Sequence, residues 1–237
     1  MKNRTKFLLG GLVAVLISVS AIWWFAFRDT APEAASLTGA IAAGPTTDEE
    51  PSPPSGESLD GVWTVDTSQD SFVGFRVREE LAGIGAKTTV GRTRAVTSTV
   101  EFRGTTVTSA AIEADLTQLQ SDSETRDRVL QRQAIETDTF PTATFVISRP
   151  IELDGVPAEG IPFSVEAVGD LTIHGVTREV TVPIEGQLVG RSMVLVGSID
   201  IVFADYAIDT PSAAVVLSVE DNGVMEFQLF LTKSTGS

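Results

Sequence analysis

The sequence predicts an all-β fold: an antiparallel β-barrel of about eight strands with one short helix, occupying residues 61–237. Three observations predict it. From Gly61 onward apolar residues recur at every second position in short runs, turn-forming residues separate those runs, and only one stretch carries helix signals. A period of two with one apolar face marks strands that meet a core on one side and water on the other. Eight or nine such runs in about 175 residues suit one closed barrel or one sandwich.

The chain ahead of the barrel divides into three parts. Lys2, Arg4 and Lys6 lie in residues 1–6, and Phe7 to Phe27 is a run of 21 residues without a charge. At 1.5 Å per residue that run spans roughly 30 Å, the thickness of a bilayer's hydrocarbon core. Residues 7–27 are therefore expected to form a transmembrane helix. The basic flank places residues 1–6 in the cytoplasm and the remainder outside, as a single-pass cell-membrane protein. A cleaved signal peptide is the alternative. Its apolar region is shorter and ends at a small-residue cleavage site, whereas this run ends in Trp23, Trp24 and Phe25. Residues 28–60 are rich in Ala, Pro, Ser, Thr and acids and nearly free of large apolar groups. Such a segment buries too little surface to offset chain entropy, so a disordered linker is expected there.

Within the barrel the early strand candidates are Val62–Asp66, Phe72–Arg78, Val96–Arg103, Thr106–Leu116 and Thr142–Ser148. Clear alternation follows in Phe163–His174, in Val180, Val182 and Ile184, in Met193 to Phe203, and in Phe227, Leu229 and Leu231. His174 and Gly175 sit between two of these strands, where Gly175 supplies the positive φ of a tight hairpin. Ser121-Asp122-Ser123-Glu124 reads as a capping box, and residues 122–133 are expected to form a polar helix across a barrel end.

Composition removes several function classes. The chain has no cysteine, which excludes thiol catalysis, iron–sulfur clusters and Cys-based zinc sites. The formal net charge is −15, and from Gly61 onward 13 basic and 25 acidic side chains leave −12. A domain this acidic is repelled by phosphate backbones, so no nucleic-acid partner is expected. The single histidine, His174, lacks companions for a metal site and reads as a turn residue capping nearby backbone. No nucleotide fingerprint and no calcium loop occurs. The chain is expected to be no enzyme, with no catalytic residue, metal or cofactor. Arg126 and Asp127 on the short helix suit either pairing to the barrel or contact with a polar head group.

Three stretches resemble the YceI-like family of exported lipid-binding proteins. The first is Trp63-Thr-Val-Asp66 followed by Phe72-Val-Gly-Phe75-Arg-Val77. The second is Arg126-Asp127-x-x-Leu130 followed by Phe140-Pro141-Thr-Ala-Thr-Phe145. The third, and most specific, is Gly169-Asp-Leu-Thr-Ile-His174-Gly175-Val-Thr-Arg-Glu-Val180. The similarity runs from about residue 61 to 233. It departs at Asp70-Ser71 and at Arg78, where the family often carries His-Ser and a second histidine, and at 133–139, where its "pdFFd" segment is missing.

The resemblance implies a lipocalin-like barrel with an elongated apolar cavity that sequesters a polyisoprenoid, quinone-like or fatty-acyl ligand. A barrel of this size either packs solid or encloses one small ligand. One consistent choice of face nominates Val73, Phe75, Phe102, Ile112, Phe145, Phe163, Val165, Leu171, Ile173, Met193, Leu195, Ile199, Phe227 and Leu229 as ligand-binding. The competing expectation is a filled barrel acting as a structural or interaction module of the cell envelope. Exposed strand edges and barrel mouths are natural contact sites, so a homodimer is compatible with the pattern, although no residue specifies one.

Overall fold

The computed structural model describes residues 31–44, 58–81, 85–210 and 216–234. The expected membrane span over 7–27 and the cytoplasmic residues 1–6 lie outside these residues, as do 28–30 and 45–57 of the expected linker. Among the described residues no helix is long and apolar enough to cross a membrane.

Twelve strands form one antiparallel sheet: β1 (Gly61–Val65), β2 (Phe72–Leu81), β3 (Gly85–Thr93), β4 (Val96–Arg103), β5 (Thr106–Asp115), β6 (Thr142–Ile147), β7 (Ile151–Glu152), β8 (Phe163–Ile173), β9 (Val176–Val189), β10 (Ser192–Val202), β11 (Val216–Val219) and β12 (Asn222–Lys233). Several are halves of one longer stave. β1 and β2 pair with successive parts of β12, as Val65 with Leu231 and Val73 with Phe227. β4 pairs with β1, and β3 pairs with β2. β11 continues the β12 stave along β2, and β7 continues β6 along β5. Eight staves result, and the β1–β12 pairing closes the ring. The expected barrel of about eight strands is what the chain builds.

The hairpin expected at His174-Gly175 is present, and both residues have positive φ, 51° and 74°. Two successive left-handed residues make the primed turn whose twist matches a right-twisted pair, β8 and β9. The helix is shorter than expected. α2 spans Glu124–Val129 and passes into a π-turn, Leu130–Ala134. Its cap is Ser123, whose Oγ accepts from Arg126 N; Ser121 instead donates to the Asp127 carboxylate at 2.5 Å and stabilises the approach.

A second correction concerns the linker. Residues 31–44 are ordered against the barrel wall and contain a helix, α1 (Leu37–Ala43), capped by Ser36. Leu37 and Ala40 are buried against Val194, Val196 and Phe230, which point outward from β10 and β12. Ahead of the helix, Arg76 donates to the Pro32 carbonyl, Arg92 donates to the Glu33 carbonyl, and Ala35 N donates to Glu226. Glu226 is only 1% exposed and is paired with Arg92 at 2.7 Å. Low apolar content argues against an autonomous fold. It does not forbid a segment from docking on a surface that already carries apolar and charged partners.

Candidate functional site

The barrel interior is packed at one end and hollow at the other. At the packed end Trp63 lies edge-on to Phe102, with ring centroids 6.1 Å apart, and its Nε1 donates to the Leu59 carbonyl. Leu153, Met193, Leu229 and Leu231 fill the space beneath.

Four aromatic rings lie over glycines of adjacent strands: Phe75 over Gly91, Phe145 over Gly169, Phe163 over Gly186 and Phe227 over Gly197. A glycine leaves room for a ring to lie along the wall instead of standing into the lumen, the aromatic rescue seen in curved sheets. Phe75, Phe145 and Phe227 thus line space rather than occupy it.

That space is a chamber of about 140 Å3 at the end where β2 and β10 finish and β12 begins. Its walls include Val73, Phe75, Val77, Ile173, Ile201 and Met225. Leu130, Ala134 and Ile135 close it from the helix side, and Phe203 and Ile208 from the 3-10 turn after β10. A smaller chamber of about 50 Å3 continues inward, lined by Ile112, Phe145, Leu171, Val182, Ile184 and Phe227. Val73, Ala143 and Met225 border both, so they form the waist of one elongated cavity.

The chamber wall is apolar except at a few points. Thr89 Oγ1, on a residue 2% exposed, and Glu79 Oε2 have no hydrogen-bond partner. Asp209 and Thr210 border the rim. Behind Glu79, Arg126 reaches within 3.6 Å of its carboxylate and also pairs with Asp122, which Lys87 contacts at 2.6 Å. The hydrogen bond from Lys87, followed by the charge of Arg126, holds the Asp122 carboxyl below its ordinary value against the opposing effect of burial. These ion pairs fasten α2 across the barrel end. His174 serves the same rim: Nδ1 lies 3.2 Å from the Tyr206 carbonyl oxygen and Nε2 3.1 Å from Glu136. Phe140 packs edge-on to the imidazole at 4.5 Å. Burial raises the Tyr206 hydroxyl pKa above the usual phenol value, with the nearby Asp205 adding to the effect. Among the described residues no group of three His, Cys, Asp or Glu side chains converges as a metal site.

Half of the sequence-nominated ligand residues line the cavity: Val73, Phe75, Ile112, Phe145, Leu171, Ile173 and Phe227. The others face inward at packed levels. Phe102, Met193 and Leu229 are buried in the core, with Phe163, Val165, Leu195 and Ile199 packed against it. Face selection was sound, but alternation carries no information on height along the barrel. The cavity residues that the alternation missed come mainly from outside the regular stripes: Leu116, Leu119, Leu130, Ala134, Ile135 and Ile208. The expected pairing of Arg126 to the barrel is found in its contact with Glu79.

Comparison with known proteins agrees with this architecture. Residues 63–231 match the YceI-like domain. No curated protein matches the chain. Among solved structures, BcnA of Burkholderia cenocepacia superposes with a TM-score of 0.55 at 22% identity, covering 71% of this chain and 99% of that one. A polyisoprenoid binding domain from Saccharophagus degradans, implicated in plant cell wall breakdown, gives 0.57 at 17% identity, covering 73% and 98%. A Campylobacter jejuni YCEI protein gives 0.50 at 16% identity, covering 61% and 84%. At these identities the structural likeness speaks to the fold, and the family follows from the sequence match. The chain belongs to the YceI-like domain family.

Proposed function

We propose that this chain is a membrane-tethered lipid carrier or store that holds an isoprenoid or fatty-acyl tail in its barrel, outside the cytoplasm and without a chemical step. The observation that carries the reading is the apolar, elongated chamber at the α2 end. The family assignment and the likeness to a polyisoprenoid binding domain support it. A buried tail gains about 0.8 kcal/mol per methylene, so affinity needs few polar contacts. As it stands the larger chamber matches a benzene-sized group, since a cavity of roughly 150 Å3 binds benzene. A longer tail enters by parting the waist, where Met225 offers an unbranched, adaptable side chain.

Tethering assigns residues 7–27 to the bilayer. Only residues 28–30 then separate the anchor from Ala31, and Pro32 already touches Arg76. Four residues reach at most about 14 Å when extended. Arg76 lies between Phe75 and Val77, both in the chamber wall, so the docked strap would keep the hollow end close to the membrane. The test is organic extraction of the full chain purified from native membranes, followed by mass spectrometry. A co-purifying prenyl or acyl lipid supports the reading. Absence of lipid, together with failure to bind a solvatochromic apolar dye at one-to-one stoichiometry, refutes it.

A further inference from the structure

The polar atoms of the chamber bear on what the head of such a ligand must be. Thr89 and Glu79 stand on neighbouring strands: Thr89 is paired with Val77, and Glu79 lies two residues further along β2. Both therefore face inward, diagonally placed. Thr89 Oγ1 has no hydrogen-bond partner, and Glu79 Oε2 has none within hydrogen-bond distance, its ion pair to Arg126 being 3.6 Å long. A buried polar atom left unpaired is costly, and natural structures rarely keep one without a reason. The charges of the lining have one sign. Glu79 and Asp209 border the chamber, whereas among the described residues no lysine or arginine does. Two cations stand beside Glu79, Lys87 opposite it in register and Arg126 from α2; both are engaged with Asp122, and Arg126 is shared with Glu79.

From this arrangement we infer that the chamber selects lipids with a neutral head that donates a hydrogen bond, such as a hydroxyl or carboxamide, and rejects anionic heads. A donor satisfies Glu79 Oε2 and Thr89 Oγ1 at once or singly. A carboxylate or phosphate meets two fixed carboxylates with no free countercharge, and like charges brought together in a poorly solvated site repel strongly. An ammonium head is also disfavoured, because burying it in an apolar chamber forfeits its hydration while Arg126 competes for the same carboxylate. The inference rests on the lipid-binding reading and adds the selectivity that Glu79 and Thr89 impose.

The test uses one tail and three heads: farnesol, farnesoic acid and farnesyl phosphate, titrated at pH 7 into the delipidated full chain in detergent. An apolar dye serves as the head-free control. Farnesol is expected to bind at least tenfold more tightly than either anion. Glu79→Gln should narrow that gap at least threefold, and Thr89→Val should weaken farnesol several-fold while leaving the dye unchanged. Anions binding as tightly as the alcohol overturn the inference, as does a gap that neither substitution alters. If the dye and all three farnesyl compounds fail to bind, the lipid-binding reading falls together with it. If the dye binds and heads are not distinguished, only the inference falls.

Discussion

Replacing Gly91 by alanine tests whether the lumen is hollow because rings lie on glycines. A Cβ built at Gly91 sits 2.5 Å from Phe75 Cε1, well inside van der Waals contact, so the ring must leave the wall. The backbone of β3 backs it on one side and the open side is the 140 Å3 chamber. A phenyl group is about the size of the benzene that a comparable cavity accepts, so the displaced ring fills the chamber. Loss of space for one five-carbon isoprene unit removes about 4 kcal/mol of burial, or roughly three decades in Kd. The strain of overpacking costs about 1–3 kcal/mol of stability, partly offset by the filled void. Gly186→Ala is the control: its Cβ clashes with Phe163 and also meets Leu195, and neither side chain lines a chamber. Dye and farnesol titrations, with thermal melts alongside, separate the effects. Gly91→Ala should abolish binding with a modest melting change, and Gly186→Ala should lower the melting temperature with binding retained. Equal loss of binding in both variants, or undiminished binding in Gly91→Ala, refutes the argument.

Three further outcomes follow from the strap and the rim. Glu226→Gln leaves Arg92 without its buried counter-ion and should cost about 3 kcal/mol, on the order of 10 °C in melting temperature; a shift under 2 °C by calorimetry counts against that role. Because the chain has no cysteine, Val194→Cys provides a single thiol beneath α1, which should react slowly with a maleimide in the parent and at least tenfold faster when Leu37→Ala is added. Equal rates would show that α1 does not cover this face. Asp122 is held ionised below its ordinary pKa of 3.8, chiefly by Lys87; its folded value is depressed, so its stabilisation is complete above pH 3.8 and fades as pH falls through the lowered value. The stability difference between the parent and Asp122→Asn in urea melts should therefore close on acidification below 3.8, and a constant difference refutes the latch.

Much of this architecture was legible because alternation reports the inner face directly. Phe163 to Ile173 and Met193 to Ile201 sit on their expected strands, and every nominated ligand residue faces inward. The division between hollow and filled levels was not legible. It depends on pairs such as Phe75 with Gly91, which are distant in sequence and meet only through register. The helix cap was misplaced by two residues because Ser121 and Ser123 compete, and only the Asp127 carboxylate, bonded to Ser121, decides between them.

The strap had a sequence signal of a different kind. Two-sided burial appears as an unbroken apolar run rather than alternation. Met193-Val194-Leu195-Val196 and Leu229-Phe230-Leu231 are such runs on adjacent strands, registered as Val194 opposite Phe230. A barrel wall facing water has no use for Val194, Val196 and Phe230 on its outer side, all at most 3% exposed. Something must cover them. The same strand places Glu226 outward, four residues before Phe230, where an unpaired carboxylate under a cover would be untenable. Arg76 and Arg92 reach it from β2 and β3, and their spare donors take the carbonyls of Pro32 and Glu33. Apolar outer residues thus specify a helix, and the buried charge specifies the extended backbone leading into it. Both lie within one segment whose own composition predicts disorder, so its structure is encoded in the surface it meets rather than in itself.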